Sequence, residues 1–218
     1  MLVTGITGVF HILADNQKGG AVIELINKQL EHADWSGLYA WDLIQPFFMF
    51  IVGVAMPFAV SKRIARGDSW KKAFYHVLRR SLLLLAFGFM LGSDKNGFSL
   101  TNVLAQLSFT YLVAFLLMEL DFKWQLAVSF AMIILSDVLY RIWTVDGFNQ
   151  PFTADHNFGS WVDMVITGKL SDDRWVAFNA IPTSAHTIWG VLVGKLLMKD
   201  FPNRKKILTL LIPGIIAV

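Results

Sequence analysis

Long stretches without a charged residue divide the chain and predict helices that cross a membrane. Leu43–Val60, Asn96–Met118 and Trp175–Gly194 contain no Asp, Glu, Lys or Arg. The hydrocarbon core of a bilayer needs roughly 20 helical residues, so each of the three is predicted to cross it. Two shorter charge-free runs, Ser81–Ser93 and Trp124–Ser136, reach that length once a turn is added at each end.

Apolar sequence also stands at both ends of the chain, at Met1–Ala14 and Ile207–Val218. Met1–Ala14 lacks the basic segment and the small-residue cleavage site of a signal peptide. We interpret it as the latter part of a first helix, and Ile207–Val218 as the start of a seventh. The expected fold is an all-α, polytopic transmembrane helix bundle of about seven helices, with the first and last truncated. The expectation for residues 1–218 is a single domain cut from a longer protein.

Composition agrees with a membrane protein. Of the 218 residues, 55% are apolar and 16% are charged, whereas soluble domains carry roughly a quarter charged residues. The 18 Phe and 8 Trp exclude a disordered, collagen-like or coiled-coil chain. The absence of Cys excludes a disulfide framework, a thiol nucleophile and a Cys-based zinc site.

The distribution of charge predicts the topology. Ser61–Arg80 holds seven basic residues against one acid, and Lys195–Lys206 holds five against one, whereas Asp15–Asp42 and Asp137–Arg174 are acidic. Short loops rich in Lys and Arg stay in the cytoplasm. We therefore expect a multi-pass protein of the cell (inner) membrane with a cytoplasmic N-terminus, and with loops 15–42 and 137–174 outside. Since the basic residues are sorted by membrane side, nucleic-acid binding has no support.

Two local patterns refine this bundle. A short helix at the outer interface is predicted by apolar residues at helical spacing, namely Val22, Ile23, Ile26 and Leu30. Close contact between helices is favoured by small-xxx-small pairs, namely Gly88/Gly92 and Gly190/Gly194. Assembly with further copies of the chain stays open.

The first candidate site combines His32 with Asp42 at the predicted outer edge of the bilayer. A neutral imidazole can accept a proton or attack a carbonyl, and a carboxylate fixes its tautomer and stabilises imidazolium. The residues alone favour a simpler alternative, in which His32 lies in a solvated loop and Asp42 caps a helix.

The second candidate consists of Asn179, Thr183 and His186 inside a predicted spanning segment. An ionisable side chain there is costly and usually faces a cavity or a partner. Pro182 is expected to release a backbone carbonyl near His186. A polar wall of a substrate cavity and an internally hydrogen-bonded neutral His remain equal alternatives.

Two charged groups complete the candidates. Arg79 and Arg80, at the predicted inner end of the third helix, suit phosphate binding, although the residues alone favour the topology signal as their explanation. The outer loop carries Asp163 among several acids, and we expect this loop to be solvated. No metal-ligand spacing is present, so no metal is expected.

The segment HADWSGLYAWDLIQPFFMFIVG resembles a signature of the heparan-α-glucosaminide N-acetyltransferase family of membrane acyltransferases. The matching positions are His32, Trp35, Gly37, Asp42, Leu43, Pro46, Phe48, Phe50, Ile51 and Gly53. Later stretches such as LRRSLLLLAFG, GSWVDMVITG and NAIPTSAHTIWGVLVGKLL are similar to the family in the same order, and the long linker before His32 resembles a bacterial branch.

The resemblance implies transfer of an acetyl group from cytoplasmic acetyl-CoA to the amine or hydroxyl of a sugar on the far side of the membrane. It implies His32 as the active-site histidine and Arg80, beside Arg79, as a site for CoA phosphates. Asp42 and Asp163 match acids of the family. Asp42 is assigned to catalysis beside His32. Substrate contacts are assigned to Trp35, Asn179, Thr183, His186 and Asp163.

Two other classes of function stay open. One is a multi-pass transporter of a polar metabolite, with His186 on its path. The other is a non-catalytic membrane assembly subunit.

Overall fold

The computed structural model describes residues 20–33, 37–92, 100–171 and 174–216, and every regular element within them is helical. These residues fall into two compact units, up to Phe48 and from Met49. The helices are α1 (Gly20–Gln29), α2 (Ile44–Ala65), α3 (Trp70–Gly92), α4 (Val103–Leu117), α5 (Phe122–Ile142), α6 (Phe158–Thr167), α7 (Ala180–Met198) and α8 (Asn203–Ile216), with 3-10 turns at Ala40–Leu43 and Ala177–Asn179.

The predicted helical membrane bundle is confirmed. In the described part of the chain, three segments are long and apolar enough to cross a bilayer, namely Ala40–Ala65, Trp70–Leu91 and Phe122–Ile142. The short runs predicted at 81–93 and 124–136 therefore belong to two of the longest helices. The first predicted helix, at residues 1–14, lies outside the described residues.

Helix α4 is shorter than its 23-residue charge-free run, because it begins only at Val103. The Asn102 side chain caps the start of α4, because its Oδ1 accepts a hydrogen bond from the Ala105 N–H at 3.0 Å. Its side-chain NH2 group donates to the Gly88 carbonyl at 3.0 Å. Such an N-cap satisfies an unpaired N–H group of the first helical turn. Helix α4 is apolar on all sides, as expected for a helix packed between α3 and α7.

The core from Met49 onward joins α2, α3, α4 and α7. Its fully buried members are Met56, Val60, Ala73, Val77, Tyr111, Ala114, Phe115, Met118, Ile188 and Val191. The Trp70 and Phe74 rings stack at 5.5 Å between centroids, and both lie against Phe115 at 5.8 and 6.2 Å. These rings fix the start of α3 against α4.

Glycines allow α2 and α7 to cross at backbone contact. A Cβ atom on Gly190 would lie 2.9 Å from the Gly53 Cα and clash with the Phe50 carbonyl, and one on Gly194 would clash with the Val54 carbonyl. The predicted role of the 190/194 pair in close helix packing is therefore confirmed. Gly88 likewise packs against the start of α4, where an added Cβ would meet the Ala105 N at 3.0 Å.

The expectation for Pro182 is wrong. Helix α7 starts at Ala180, which places Pro182 in its first turn. The N–H groups of a first turn have no partner within their own helix, so proline costs no hydrogen bond there and favours helix initiation. Pro57, by contrast, lies well inside α2.

Candidate functional site

The structure brings His32 and Asp42 together. His32 Nδ1 lies 2.7 Å from Asp42 Oδ1, although ten positions separate the residues. The His32 side chain is 55% exposed and that of Asp42 is 18% exposed. The partly buried Asp42 carboxylate thus hydrogen-bonds one edge of the His32 imidazole, and the opposite edge of the ring points away from the carboxylate.

Backbone groups fix the Asp42 carboxylate. Its Oδ2 accepts hydrogen bonds from the N–H groups of Tyr39 at 2.9 Å and Ala33 at 3.4 Å. Asp42 occupies the first turn of the Ala40–Leu43 helix, where N–H groups converge on an acid. Gly37 adopts φ = +126°, a conformation that side chains disfavour, in the loop that returns from His32 to this turn. The carboxylate is therefore oriented before any substrate binds.

The hydrogen bond determines the histidine tautomer. Since ionised Asp42 only accepts hydrogen bonds, the neutral His32 ring carries its proton on Nδ1 and its basic lone pair on Nε2. A lone pair on Nε2 can attack an electrophilic carbonyl or take a proton from an incoming amine or hydroxyl. The positive charge that develops on the ring is then balanced by Asp42.

Further contacts support the turn that carries Asp42. Gln29 Oε1 accepts the Ala40 N–H at 3.0 Å, and the Lys28 amino group lies 5.7 Å from the centre of the Tyr39 ring. The Trp41 ring meets His32 edge-on, with centroids 6.4 Å apart. Gln29 could not be predicted from the sequence, because its partner is the backbone N–H group of Ala40. Trp35, predicted to contact substrate, lies outside the described residues.

The start of α7 holds Asn179, Thr183 and His186, as predicted. Asn179 ends a 3-10 turn, and Thr183 and His186 follow within the first two turns of the helix. The Nδ1 atom of His186 is buried without a hydrogen-bond partner in the described structure, and its ring meets Trp189 edge-on at 5.6 Å. A buried nitrogen without a partner is costly. A role for His186 in substrate binding stays a prediction.

Trp189 links this region to α5. Its Nε1 donates to Ser129 Oγ at 2.9 Å, and its ring lies 5.9 Å from that of Phe130. Ser129 and Thr187 are fully buried, and Thr187 Oγ1 has no partner among the described atoms. The Trp189–Ser129 hydrogen bond therefore joins α7 to α5. Sequence reasoning missed it, because isolated Ser and Thr in apolar helices carry no distinctive spacing.

The prediction of a solvated acidic loop is wrong for Asp163. This residue lies in α6 with 3% of its surface exposed, and its Oδ1 accepts the Ala177 N–H at 3.0 Å. Burial raises the pKa of Asp163 to about 6, and the Ala177 hydrogen bond offsets only part of that rise. Asp163 thereby fastens the turn that leads into α7.

Aromatic packing explains why this loop is folded. The Phe158 ring contacts Trp143 and Phe178 at centroid distances of 4.8 Å each, and Trp143 lies 4.4 Å from Trp161. Asn157 caps α6 by accepting the Ser160 N–H at 3.1 Å. Trp161 lies in the same cluster, 6.1 Å from the Phe158 ring.

The expected position of Arg79 and Arg80 is also wrong. Helix α3 begins at Trp70, so both arginines lie roughly two and a half turns inside it rather than at its end. Both are exposed, and the Arg80 guanidinium lies 5.0 Å from the centre of the Tyr111 ring. Lys and Arg can extend their charged groups along a helix toward water. The first half of α3 is amphipathic, with Ala73 and Val77 buried.

Metal binding has no candidate among the described residues, since no three His, Asp or Glu side chains gather there.

Two comparisons with known proteins bear on this arrangement. The family described as "Domain of unknown function (DUF5009)" matches residues 26–191. A segment of 58 residues is 34% identical to the heparan-alpha-glucosaminide N-acetyltransferase of Mus musculus. That segment covers 27% of this chain and only 9% of the mouse protein.

Proposed function

The chain belongs to the DUF5009 family, and from this premise we propose that it is a membrane acyltransferase that uses His32 to transfer an acetyl group. The donor is acetyl-CoA on the cytoplasmic side. The acceptor is the amine or hydroxyl of a sugar on the opposite side. The similarity to a mouse enzyme named for N-acetyl transfer to a glucosaminide supports this class of acceptor.

The observation that carries the proposal is the 2.7 Å hydrogen bond between His32 and Asp42. In a two-step route, His32 Nε2 attacks the thioester carbonyl, the C–S bond breaks and CoA leaves as thiolate. The acetyl group on the imidazole then passes to the acceptor, whose proton is released. In a direct route, His32 Nε2 removes the acceptor proton while the acceptor attacks the thioester carbonyl, the C–S bond breaks and CoA leaves as thiolate. Asp42 stabilises the charged ring in both.

Other predicted residues fit supporting roles in this proposal. Arg80, with Arg79, binds the phosphates of CoA, for which guanidinium groups are well suited. Contacts to the acceptor are proposed for Thr183, His186 and Asn179 at the start of α7, and separately for Trp35. Asp163 acts through its hold on the turn at Ala177.

The sidedness of the proposal rests on loop charge. The basic segments around Arg66 and Lys205 favour the cytoplasm, which puts the acidic loop before α2 outside. Because the chain has no cysteine, single Cys residues can report each side. Asp146→Cys should react with an impermeant maleimide on intact cells, and Lys205→Cys only after permeabilisation. The opposite pattern would reverse the orientation.

The decisive experiment measures acetyl transfer in reconstituted vesicles. The chain is supplied with radiolabelled acetyl-CoA and glucosamine, and label is followed on sugar and on protein. His32→Gln should abolish label on both while leaving yield and thermal stability unchanged. His156→Gln is the matched control, since that exposed imidazole contacts only the Gly147 carbonyl by its Nδ1, at 2.9 Å. Transfer by the His32 variant at the rate of the control would disprove the assignment.

A further inference from the structure

Helix α1 exposes an apolar surface. Val22 and Leu25 lie one turn apart on the helix, and 70% and 66% of their surfaces are exposed. At 100° per residue, Glu24 lies roughly 160° from Val22, on the opposite side of the helix, whereas Lys28 lies about 60° from Leu25 and flanks the apolar surface. An apolar surface with a charged flank and an acid on the opposite side is typical of helices that lie in a membrane surface.

The position of α1 follows from its contacts with the head of α2. Gln29 and Lys28, in the last turn of α1, contact Ala40 and Tyr39. Ala40 begins the segment that is long and apolar enough to cross a bilayer. The end of α1 is therefore held at the level where that segment enters the bilayer. Val22 lies only roughly 10 Å further along the helix axis.

The exposed apolar surface continues around this entry point. Leu38, Ile44 and Phe47 are each more than half exposed, in the loop and first turn that lead into α2. We propose that α1 docks on the surface of the phospholipid bilayer, with Val22 and Leu25 inserted at the boundary of headgroups and acyl chains. The occupant of this face is lipid, because the face adjoins the entry of a membrane-crossing segment and Glu24 points away from it, while the Lys28 amino group lies at its edge beside the Tyr39 ring.

Single-cysteine labelling tests the proposal independently of any acyl transfer. Val22→Cys, Leu25→Cys, Glu24→Cys and Lys28→Cys are each made in the full chain, which has no native cysteine. Each is labelled with the environment-sensitive fluorophore NBD and reconstituted into vesicles of phosphatidylethanolamine and phosphatidylglycerol. Lipids with a nitroxide near the headgroup end of the acyl chain quench fluorophores at that depth, and iodide quenches those in water.

We expect NBD at positions 22 and 25 to be quenched by the lipid nitroxide at least about twofold more than at position 24, with the flanking position 28 between them, and the opposite order for iodide. Equal quenching at all four positions would overturn the proposal. A second copy of the chain would instead shield positions 22 and 25 from both quenchers, and dilution in lipid would remove that shielding. This result would also overturn lipid docking. Positions 22 and 25 are measured in separate variants. If one variant folds poorly, the other still tests the proposal.

Discussion

Replacing Asp42 with asparagine should reverse the tautomer of His32. The Asp42 carboxylate accepts hydrogen bonds from His32 on one oxygen and from the Tyr39 and Ala33 N–H groups on the other. The carboxamide of Asp42→Asn has a single oxygen. If that oxygen keeps the two backbone donors, the new NH2 group faces His32 Nδ1 and donates to it. The ring proton then moves to Nε2, where the nucleophilic lone pair was.

The size of the effect follows from the hydrogen bond that is lost. Hydrogen bonds to charged groups contribute about 1.5–3 kcal/mol, which corresponds to roughly a ten- to hundredfold change in rate. Solvent screening of His32, which is 55% exposed, favours the lower end. Loss of the Nε2 lone pair adds to this cost. We therefore expect acetyl transfer to fall by about ten- to hundredfold.

Two measurements check this expectation. The rate of transfer from radiolabelled acetyl-CoA is compared with that of Asp146→Asn, an exposed loop acid that serves as matched control. Nitrogen NMR of protein labelled at histidine reports the tautomer directly, with the His32 signals assigned by their loss in His32→Gln. A variant that retains the Nδ1–H tautomer and a rate within about twofold of wild type would refute the reasoning.

Three further outcomes are expected. Gly190→Ala should lower the unfolding midpoint in detergent by roughly 2–12 °C, because its Cβ would lie 2.9 Å from backbone atoms of α2 and overpacking costs about 1–3 kcal/mol. Gly214 has open space around it, so the control variant Gly214→Ala should keep the wild-type midpoint. Equal midpoints for the two variants would contradict the packing argument. Because the folded chain keeps the Asp163 proton up to about pH 6 and the unfolded chain loses it near pH 4, stability should fall by up to about 3 kcal/mol as pH rises between these values. Asp163→Asn should flatten that slope in pH-dependent unfolding, and an unchanged slope would count against a buried acid. Arg80→Ala should raise the KM for acetyl-CoA about tenfold, whereas Arg66→Ala should not, and equal KM values would remove Arg80 from the CoA site.

The main architecture could be predicted because membrane helices leave a coarse signal. Runs without charge locate α2, α5 and α7, since burying one charge in lipid costs more than any local propensity. The ends of helices could not be predicted this way. Helix α3 extends back to Trp70 because a polar, lysine-rich side and a buried apolar side coexist there. A count of charges registers the lysines and misses the apolar side.

In the candidate site, too, one part could be predicted from the sequence and another could not. The pairing of His32 with Asp42 was predicted from a motif, and the structure adds the backbone donors that orient the carboxylate. Burial of Asp163 was missed, because its partner is the N–H of Ala177, fourteen positions later, and backbone donors leave no trace in residue identities. The aromatic cluster around Phe158 was missed for a related reason, since its members come from three separate segments.

The location of Asp42 ties the geometry of the His32 pair to the thickness of the membrane. Asp42 lies in the first turn of the Ala40–Ala65 segment, whereas His32 lies in the loop before it. A bilayer thicker or thinner than the hydrophobic length of that segment is met by a change in helix tilt. Such tilting moves Asp42 with the helix and leaves His32 to follow through its loop. Lipid chain length is therefore expected to tune the 2.7 Å contact, and with it the orientation of the imidazole.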